Sequence, residues 1–67
     1  MSCLGENMKR RRKMLGLSQK EIAQQLSVHR TTYTRYENGR LEPSLDTLCQ
    51  IADLLDCSVD MLLGRNK

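Results

Sequence analysis

Two arginines and two threonines are grouped within six residues near the middle of the chain. They are Arg30, Thr31, Thr34 and Arg35. A guanidinium group can bind guanine through O6 and N7, and a threonine offers a hydroxyl group together with a methyl group that can contact thymine. The threonine hydroxyl can equally contact a phosphate. The four side chains can act together only if the backbone presents them on one face.

The stretch VHRTTYTRYENGR, from Val28 to Arg40, must provide that face. Threonine and tyrosine favour strands, because they are β-branched or aromatic. However, Val28, Tyr33 and Tyr36 share a face at helical spacing, not at every second position. Asn38-Gly39 is then typical of a helix end. We therefore predict a helix whose apolar side faces the core and whose arginines and threonines face outward.

Four further helices are predicted around this one. The first ends at Gly16, and the second begins at the N-cap residue Ser18. The fourth begins at Ser44, and the fifth runs from Ser58 to Gly64. Their predicted inward residues are Leu4, Met8, Leu15, Ile22, Ala23, Leu26, Leu45, Leu48, Cys49, Ala52, Leu55, Val59, Leu62 and Leu63. The pattern predicts an all-α, compact five-helix bundle that forms a single domain over residues 1–67.

The second and third helices are joined by only three residues, Ser27-Val28-His29. Two helices connected so tightly must cross steeply, which requires a small residue where their backbones approach. Ala23 occupies that position. We therefore predict a helix-turn-helix over about residues 19–38, with a wedge formed by Ile22, Leu26, Val28, Tyr33 and Tyr36.

Charge is distributed unevenly along the chain. Residues 1–40 contain nine Lys/Arg and three Asp/Glu, a net charge of +6, whereas residues 41–67 contain two and five, a net charge of −3. The basic part indicates a polyanionic partner. The run from Lys9 to Lys13 points in every direction around its helix, so we expect most of it to be solvated.

The sequence gives no indication of disulfide bonds, a metal site, a membrane segment or a catalytic site. The cysteines Cys3, Cys49 and Cys57 are odd in number and contain no CxxC pair, which argues against a disulfide framework or a zinc site. No apolar run follows the basic residues 9–13, and no segment reaches membrane-spanning length. We therefore expect a cytoplasmic chain without metal or cofactor. A single histidine and the absence of a glycine-rich phosphate loop or a pair of cleft carboxylates argue against an enzyme.

Residues 4–63 resemble the phage-repressor-like helix-turn-helix domains, the Cro/repressor or xenobiotic-response-element family. The segments that carry the resemblance occur in the family's order and spacing: LGLSQKEIAQQLSV, RYENGR, EPSLDTL, IADLL and SVDMLLG. The resemblance implies five helices, of which the third enters the major groove of DNA with its N-terminal end first. It also implies that base edges are read by Arg30, Thr31, Thr34 and Arg35.

The resemblance assigns further roles. It implies phosphate contacts by Gln19, Asn38, Gly39 and Arg40. A phosphate contact by His29 and a solvent-facing His29 are equal alternatives. The resemblance also implies an ion pair between Arg12 and Glu37. Three residues depart from the family pattern: Ser27 replaces a glycine and should bear left-handed strain, His29 replaces a capping Ser or Thr, and Tyr33 replaces Ile or Leu. We expect the Tyr33 ring in the wedge and its hydroxyl near the surface.

These features predict a sequence-specific regulator of transcription that binds double-stranded DNA. We expect a repressor that binds a palindromic operator as a homodimer. The fifth helix carries three consecutive apolar residues, too many for one inward face, so we expect Met61 to be exposed in the monomer and covered in a dimer; the alternative is that Met61 folds back over the core. Members of the resembled family of this size commonly pair through the fifth helix and the segment before it, and this resemblance implies a dimer interface at Cys57 and Met61. The alternative to a DNA-binding regulator is a protein-interaction module such as an antitoxin or antirepressor component. RNA binding is disfavoured because aromatic stacking platforms are missing, and no small-molecule ligand is indicated.

Overall fold

The computed structural model describes residues 3–65, and all regular elements in this range are helices. This confirms the prediction of an all-α fold with five helices. The first helix packs against the third and the fifth, and the second packs against the third and the fourth. The helices are α1 (Leu4–Met14), α2 (Gln19–Leu26), α3 (Arg30–Glu37), α4 (Leu45–Leu54) and α5 (Val59–Leu63).

Three predicted serine caps determine where helices begin. The hydroxyl groups of Ser18, Ser44 and Ser58 each accept a hydrogen bond from a backbone N–H in the first turn of α2, α4 and α5. At Ser18 the side chain of Glu21 also accepts from the Ser18 N–H at 2.8 Å, which completes a capping box. Such caps satisfy N–H groups that have no partner within the helix.

The core is aliphatic apart from two tyrosines. Most predicted inward residues are buried, but Leu45 is 75% exposed and Cys49 is also exposed, so these two predictions are wrong. The inward face of α4 is formed by Leu48, Ile51 and Ala52, which turns Cys49 towards solvent. Leu45 lies in the first turn, where no described helix covers it. The buried apolar residues are Met8, Ile22, Ala23, Leu26, Tyr33, Tyr36, Leu48, Ile51, Ala52, Leu55 and Leu62.

The end of α1 differs in one detail from the prediction. Leu15 was expected to face the core, but it is the C-cap residue of α1 and remains substantially exposed. Gly16 follows with a φ of +72°, which is the left-handed conformation predicted for the helix end. Because the helix stops one residue before Leu15, the apolar stripe of α1 ends earlier than its spacing suggested.

Close contact between α1 and α3 depends on Gly5, which the sequence analysis did not single out. A β-carbon at Gly5 would lie 2.9 Å from the carbonyl oxygen of Tyr36 and would also overlap the carbonyl group of Glu37. Both contacts are with backbone atoms, which cannot rotate away. Gly5 therefore lets the start of α1 approach the C-terminal end of α3.

The turn between α2 and α3 is as short as predicted. Ser27 has φ of 58° and ψ of 39°, which confirms the left-handed conformation expected at a position where a glycine would be unstrained. The N–H of Val28 donates to the carbonyl oxygen of Ala23 at 3.0 Å, which closes the end of α2. No described helix is both long and apolar enough to cross a membrane.

Candidate nucleic-acid interface

The outward face of α3 carries the four polar residues singled out from the sequence. Arg30, Thr31 and Arg35 are exposed, and Thr34 is half-buried. On the opposite side, Tyr33 and Tyr36 are buried, with their rings edge to face at a centroid distance of 6.3 Å. The structure thus brings the candidate base-reading residues together on one surface.

Tyr33 differs from the prediction. Its ring lies in the core as expected, but its hydroxyl is buried and makes no hydrogen bond of good geometry with the described residues. Burial raises the pKa of Tyr33, and the neighbouring carboxylate of Glu37 adds to the effect. The expected position of the hydroxyl near the surface was wrong, because the ring points towards the charged groups that join α1 and α3.

Those charged groups are Arg12 on α1 and Glu37 at the end of α3. Arg12 Nε donates to Glu37 Oε2 at 2.7 Å, and Arg12 Nη2 donates to Glu37 Oε1 at 3.2 Å. The side chains are only 9% and 1% exposed. A third donor, Arg12 Nη1, binds the carbonyl oxygen of Leu17 at 2.9 Å. The pair therefore connects α1, the loop before α2 and the end of α3.

The environment of Glu37 favours its ionised form. Burial alone would raise the pKa of this carboxyl group, but hydrogen bonds, above all from Arg12 and also from Gln19, outweigh it and lower the pKa. The hydrogen bond to Glu37 in turn raises the pKa of Arg12. The two groups therefore form a buried ion pair of opposite full charges.

Gln19 links this pair to the outward face of α3. Its Nε2 donates to Glu37 Oε1 at 3.0 Å. The hydroxyl of Thr34 lies 3.1 Å from Gln19 Oε1, to which it can donate, and 2.9 Å from the carbonyl oxygen of Arg30. Gln19 also occupies the first position of α2, where backbone N–H groups have no partner within the helix. The side chain of Gln19 thus makes hydrogen bonds within the protein, while its place at the N-terminal end of α2 suits contact with an anion.

His29 is the N-cap residue of α3 and is exposed. Its side chain makes no capping hydrogen bond within the described part of the chain, as expected for a residue that replaces Ser or Thr. The first-turn N–H groups of α3 therefore lack the side-chain acceptor that α2, α4 and α5 possess.

The segment after α3 is an exposed turn of three residues. Gly39 has a φ of +75°, which reverses the chain direction. The N–H groups of Asn38 and Arg40 donate to the carbonyl oxygens of Thr34 and Arg35 at 3.0 and 2.9 Å. Because these backbone donors are occupied, an external anion would have to be reached chiefly by the side chains of Asn38 and Arg40.

The residues proposed for a dimer lie on a different surface. Cys57 is half-buried and Met61 is 44% exposed. Both line a groove of about 190 Å³ between α1 and α5, together with Met14, which is 69% exposed and was not singled out from the sequence. Burial raises the pKa of the Cys57 thiol. We refer to Met14, Cys57 and Met61 as the α1–α5 groove.

Arg11 also has a role that the sequence analysis missed. Its Nε and Nη2 donate to the carbonyl oxygens of Leu55 and Asp56, each at 2.8 Å. These acceptors lie at the end of α4, where carbonyl groups lack partners within the helix. The guanidinium group therefore ties α1 to the end of α4, and not all of the basic run outside Arg12 is simply solvated.

A family model provides the first comparison with known proteins. The model of the family described as Helix-turn-helix matches residues 8–62. The chain belongs to this helix-turn-helix family. The match confirms the resemblance found from the sequence, and a transcriptional repressor of a cryptic phage and a prophage-derived regulator are among the relatives.

Relatives of this helix-turn-helix chain have names that describe regulators. It is 45% identical over 58 residues to the uncharacterised HTH-type transcriptional regulator YqaE of Bacillus subtilis. The aligned segment covers 87% of this chain and 50% of the relative. It is 35% identical over 60 residues to the cryptic phage CTXphi transcriptional repressor RstR of Vibrio cholerae, covering 90% and 54%. The chain thus spans about half the length of these relatives.

Solved structures show the same fold. A transcriptional regulator from Listeria innocua is 30% identical with a TM-score of 0.88, covering 100% of this chain and 63% of that one. The P22 c2 repressor, crystallised with synthetic operator 9T, is 27% identical with a TM-score of 0.88 and covers 98% and 100%. This chain therefore shares its fold with a repressor whose crystal structure includes a synthetic operator.

Proposed function

We propose that this chain is a sequence-specific, double-stranded DNA-binding regulator that represses transcription by inserting α3 into the major groove of an operator. The observation that carries the proposal is the outward face of α3. Arg30, Thr31, Thr34 and Arg35 share it, while the opposite face is anchored in the core through Tyr33. The likeness to the P22 c2 repressor, whose crystal structure contains a synthetic operator, supports DNA as the partner.

Arg30 and Arg35 are the residues of this face best suited to read guanine, because each can donate two hydrogen bonds to O6 and N7. Thr31 and Thr34 add shorter side chains with a hydroxyl and a methyl group. The helix supplies a rigid support, since its buried face is fixed by the wedge and by the Arg12–Glu37 pair.

Phosphate contacts hold the protein in register without reading sequence. We assign them to Gln19 at the start of α2, to His29 before α3, and to the turn formed by Asn38, Gly39 and Arg40. The exposed side chains of His29, Asn38 and Arg40 support this assignment. Because such contacts release counterions, we expect the affinity to fall steeply as salt increases.

A homodimer on a palindromic operator completes the proposal. One recognition helix contacts few base pairs, and a two-fold pair would place two of them about 34 Å apart, one turn of the duplex. We place the contact at Cys57 and Met61 in the α1–α5 groove, where apolar side chains remain accessible.

Competition titrations of Arg30→Ala and Arg35→Ala against operator and scrambled duplexes test the base-reading assignment. Each variant is expected to weaken operator binding by about 1–3 kcal/mol and to relax base preference. Lys9→Ala is the matched control, because it removes the same charge from an exposed site on α1 that does not line the α1–α5 groove. Equal losses for both duplexes, matching the loss in the control, would refute base reading by α3.

A further inference from the structure

A row of four polar side chains connects the buried ion pair to the candidate recognition face. It runs from Arg12 through Glu37 and Gln19 to Thr34, with successive distances of 2.7, 3.0 and 3.1 Å. Three helices contribute to it, so the row is set by tertiary packing. Its last member, Thr34, is also one of the residues proposed to contact bases.

The ion pair determines which way each hydrogen bond points. An ionised carboxylate has no hydrogen to donate, so Glu37 can only accept. The atom of Gln19 that faces Glu37 must therefore be its NH₂ group, and the other end of the amide must be its carbonyl oxygen. A carbonyl oxygen also only accepts, so in any hydrogen bond between Thr34 and Gln19 the donor must be Thr34.

The Thr34 hydroxyl has a second neighbour within the helix, and that neighbour also requires Thr34 to be the donor. The carbonyl oxygen of Arg30, at 2.9 Å, is also only an acceptor. A hydroxyl group has one hydrogen and two lone pairs. Whichever of the two acceptors takes that hydrogen, none remains for a ligand, while a lone pair of Thr34 Oγ1 stays available.

We infer that Thr34 reads DNA as a hydrogen-bond acceptor. Its partner would be a base amino group in the major groove, the N6 group of adenine or the N4 group of cytosine. Guanine O6 and N7 and thymine O4 are acceptors and would compete with Gln19 and the Arg30 carbonyl for the single hydrogen. The inference rests on the proposed function and adds to it the chemical identity of the group that Thr34 recognises.

Gln19 is a positioning residue in this arrangement. Its carbonyl oxygen faces Thr34 and one amide hydrogen binds Glu37. An NH₂ group has two hydrogens, so one remains for the phosphate contact proposed above. The same side chain can therefore orient the Thr34 hydroxyl and hold the DNA backbone.

The test begins with selection of bound duplexes from a random pool by the wild type and by Thr34→Val. Valine has nearly the shape of threonine but lacks the hydroxyl group. Circular dichroism and thermal melts establish that the variant is folded, and Thr34→Ala serves as a second variant without the hydroxyl. We expect both variants to lose preference at one base pair in each half-site, while the remaining positions keep theirs.

Modified bases at that position then identify the group that is read. Purine in place of adenine, or 2-pyrimidinone in place of cytosine, removes the amino group, whereas a 7-deazapurine removes the N7 acceptor. We expect loss of the amino group to weaken wild-type binding about threefold to tenfold, the range for one hydrogen bond, and to leave the Thr34→Val affinity unchanged. Loss of N7 should change neither.

The inference is overturned if the sensitive group is N7, O6 or O4, or if the wild type and both Thr34 variants select the same motif. Those results would leave the proposed function standing, because the wild type would still have selected a sequence. A wild type that enriches no sequence at all would instead remove the proposed function and this inference together.

Discussion

Replacing Arg12 by methionine should destabilise the fold far more than the same replacement at Arg10. Arg12→Met removes three hydrogen bonds, two to Glu37 and one to the carbonyl oxygen of Leu17. Methionine retains much of the side-chain volume, so the main change is the loss of charge. The Glu37 carboxylate, whose side chain is 1% exposed, would keep Gln19 as a donor but lose its cation.

The size of the effect follows from burial. Removing one partner of a buried ion pair destabilises a protein by about 3–5 kcal/mol, because an uncompensated charge remains in the interior. A domain of this length has a total stability of about 3–10 kcal/mol. Since 1 kcal/mol shifts the melting temperature of such a domain by about 4–8 °C, the midpoint should fall by about 12 °C or more. Arg10 is exposed, and its loss should cost about 1 kcal/mol at most.

Thermal melts followed by circular dichroism, together with urea titrations, measure the difference. Arg10→Met is the matched control on the same helix. A double variant, Arg12→Met with Glu37→Leu, should recover part of the loss because no buried charge is left without a partner. Equal midpoints for Arg12→Met and Arg10→Met would refute the reasoning and leave Arg12 as one more solvated charge.

Three further predictions concern acid stability, helix packing and assembly. The pKa of Glu37 is lowered in the fold, so the stability that its ion pair contributes is present above the ordinary glutamate pKa and is lost as the pH falls through the lower folded value. Melts of the wild type and Glu37→Gln at a series of pH values should therefore differ most near neutrality and converge in acid; a constant difference would contradict this. Gly5→Ala should destabilise the fold by about 1–3 kcal/mol, because the new β-carbon would meet backbone atoms of α3. Urea titration against the exposed control Glu6→Ala tests it, and a stabilised Gly5→Ala would show that α1 can shift freely. Met61→Glu should keep the helical circular dichroism spectrum but weaken both self-association in sedimentation and operator binding, whereas Leu45→Glu, at an exposed site away from the α1–α5 groove, should not. An unchanged dimer in Met61→Glu would place the interface elsewhere.

The helices could be predicted because their signals are local. Ser18, Ser44 and Ser58 are good N-caps, and their hydroxyl groups form the expected hydrogen bonds within their own first turns. Helical spacing likewise placed Tyr33 and Tyr36 on the buried side of α3. Such features depend on residues three or four positions apart, which a sequence displays directly.

Features that depend on contact between distant segments could not be derived in the same way. The need for glycine at Gly5 arises from the backbone of α3, more than thirty residues away. Periodicity placed Cys49 in the core, but the neighbours of α4 fix its rotation and leave Cys49 exposed. The row through Gln19 and Thr34 depends on how α2 crosses α3, and only the structure shows which polar groups meet there.

Selection of bound sites from random duplex DNA tests the central proposal most directly. The wild-type chain is incubated with the pool at moderate salt, bound duplexes are recovered and amplified through several rounds, and the enriched sequences are read. The account predicts a palindromic motif whose half-sites are centred about one helical turn apart, the distance between two recognition helices in a two-fold dimer. Recovery of a pool indistinguishable from the input would contradict the proposal that α3 reads DNA sequence.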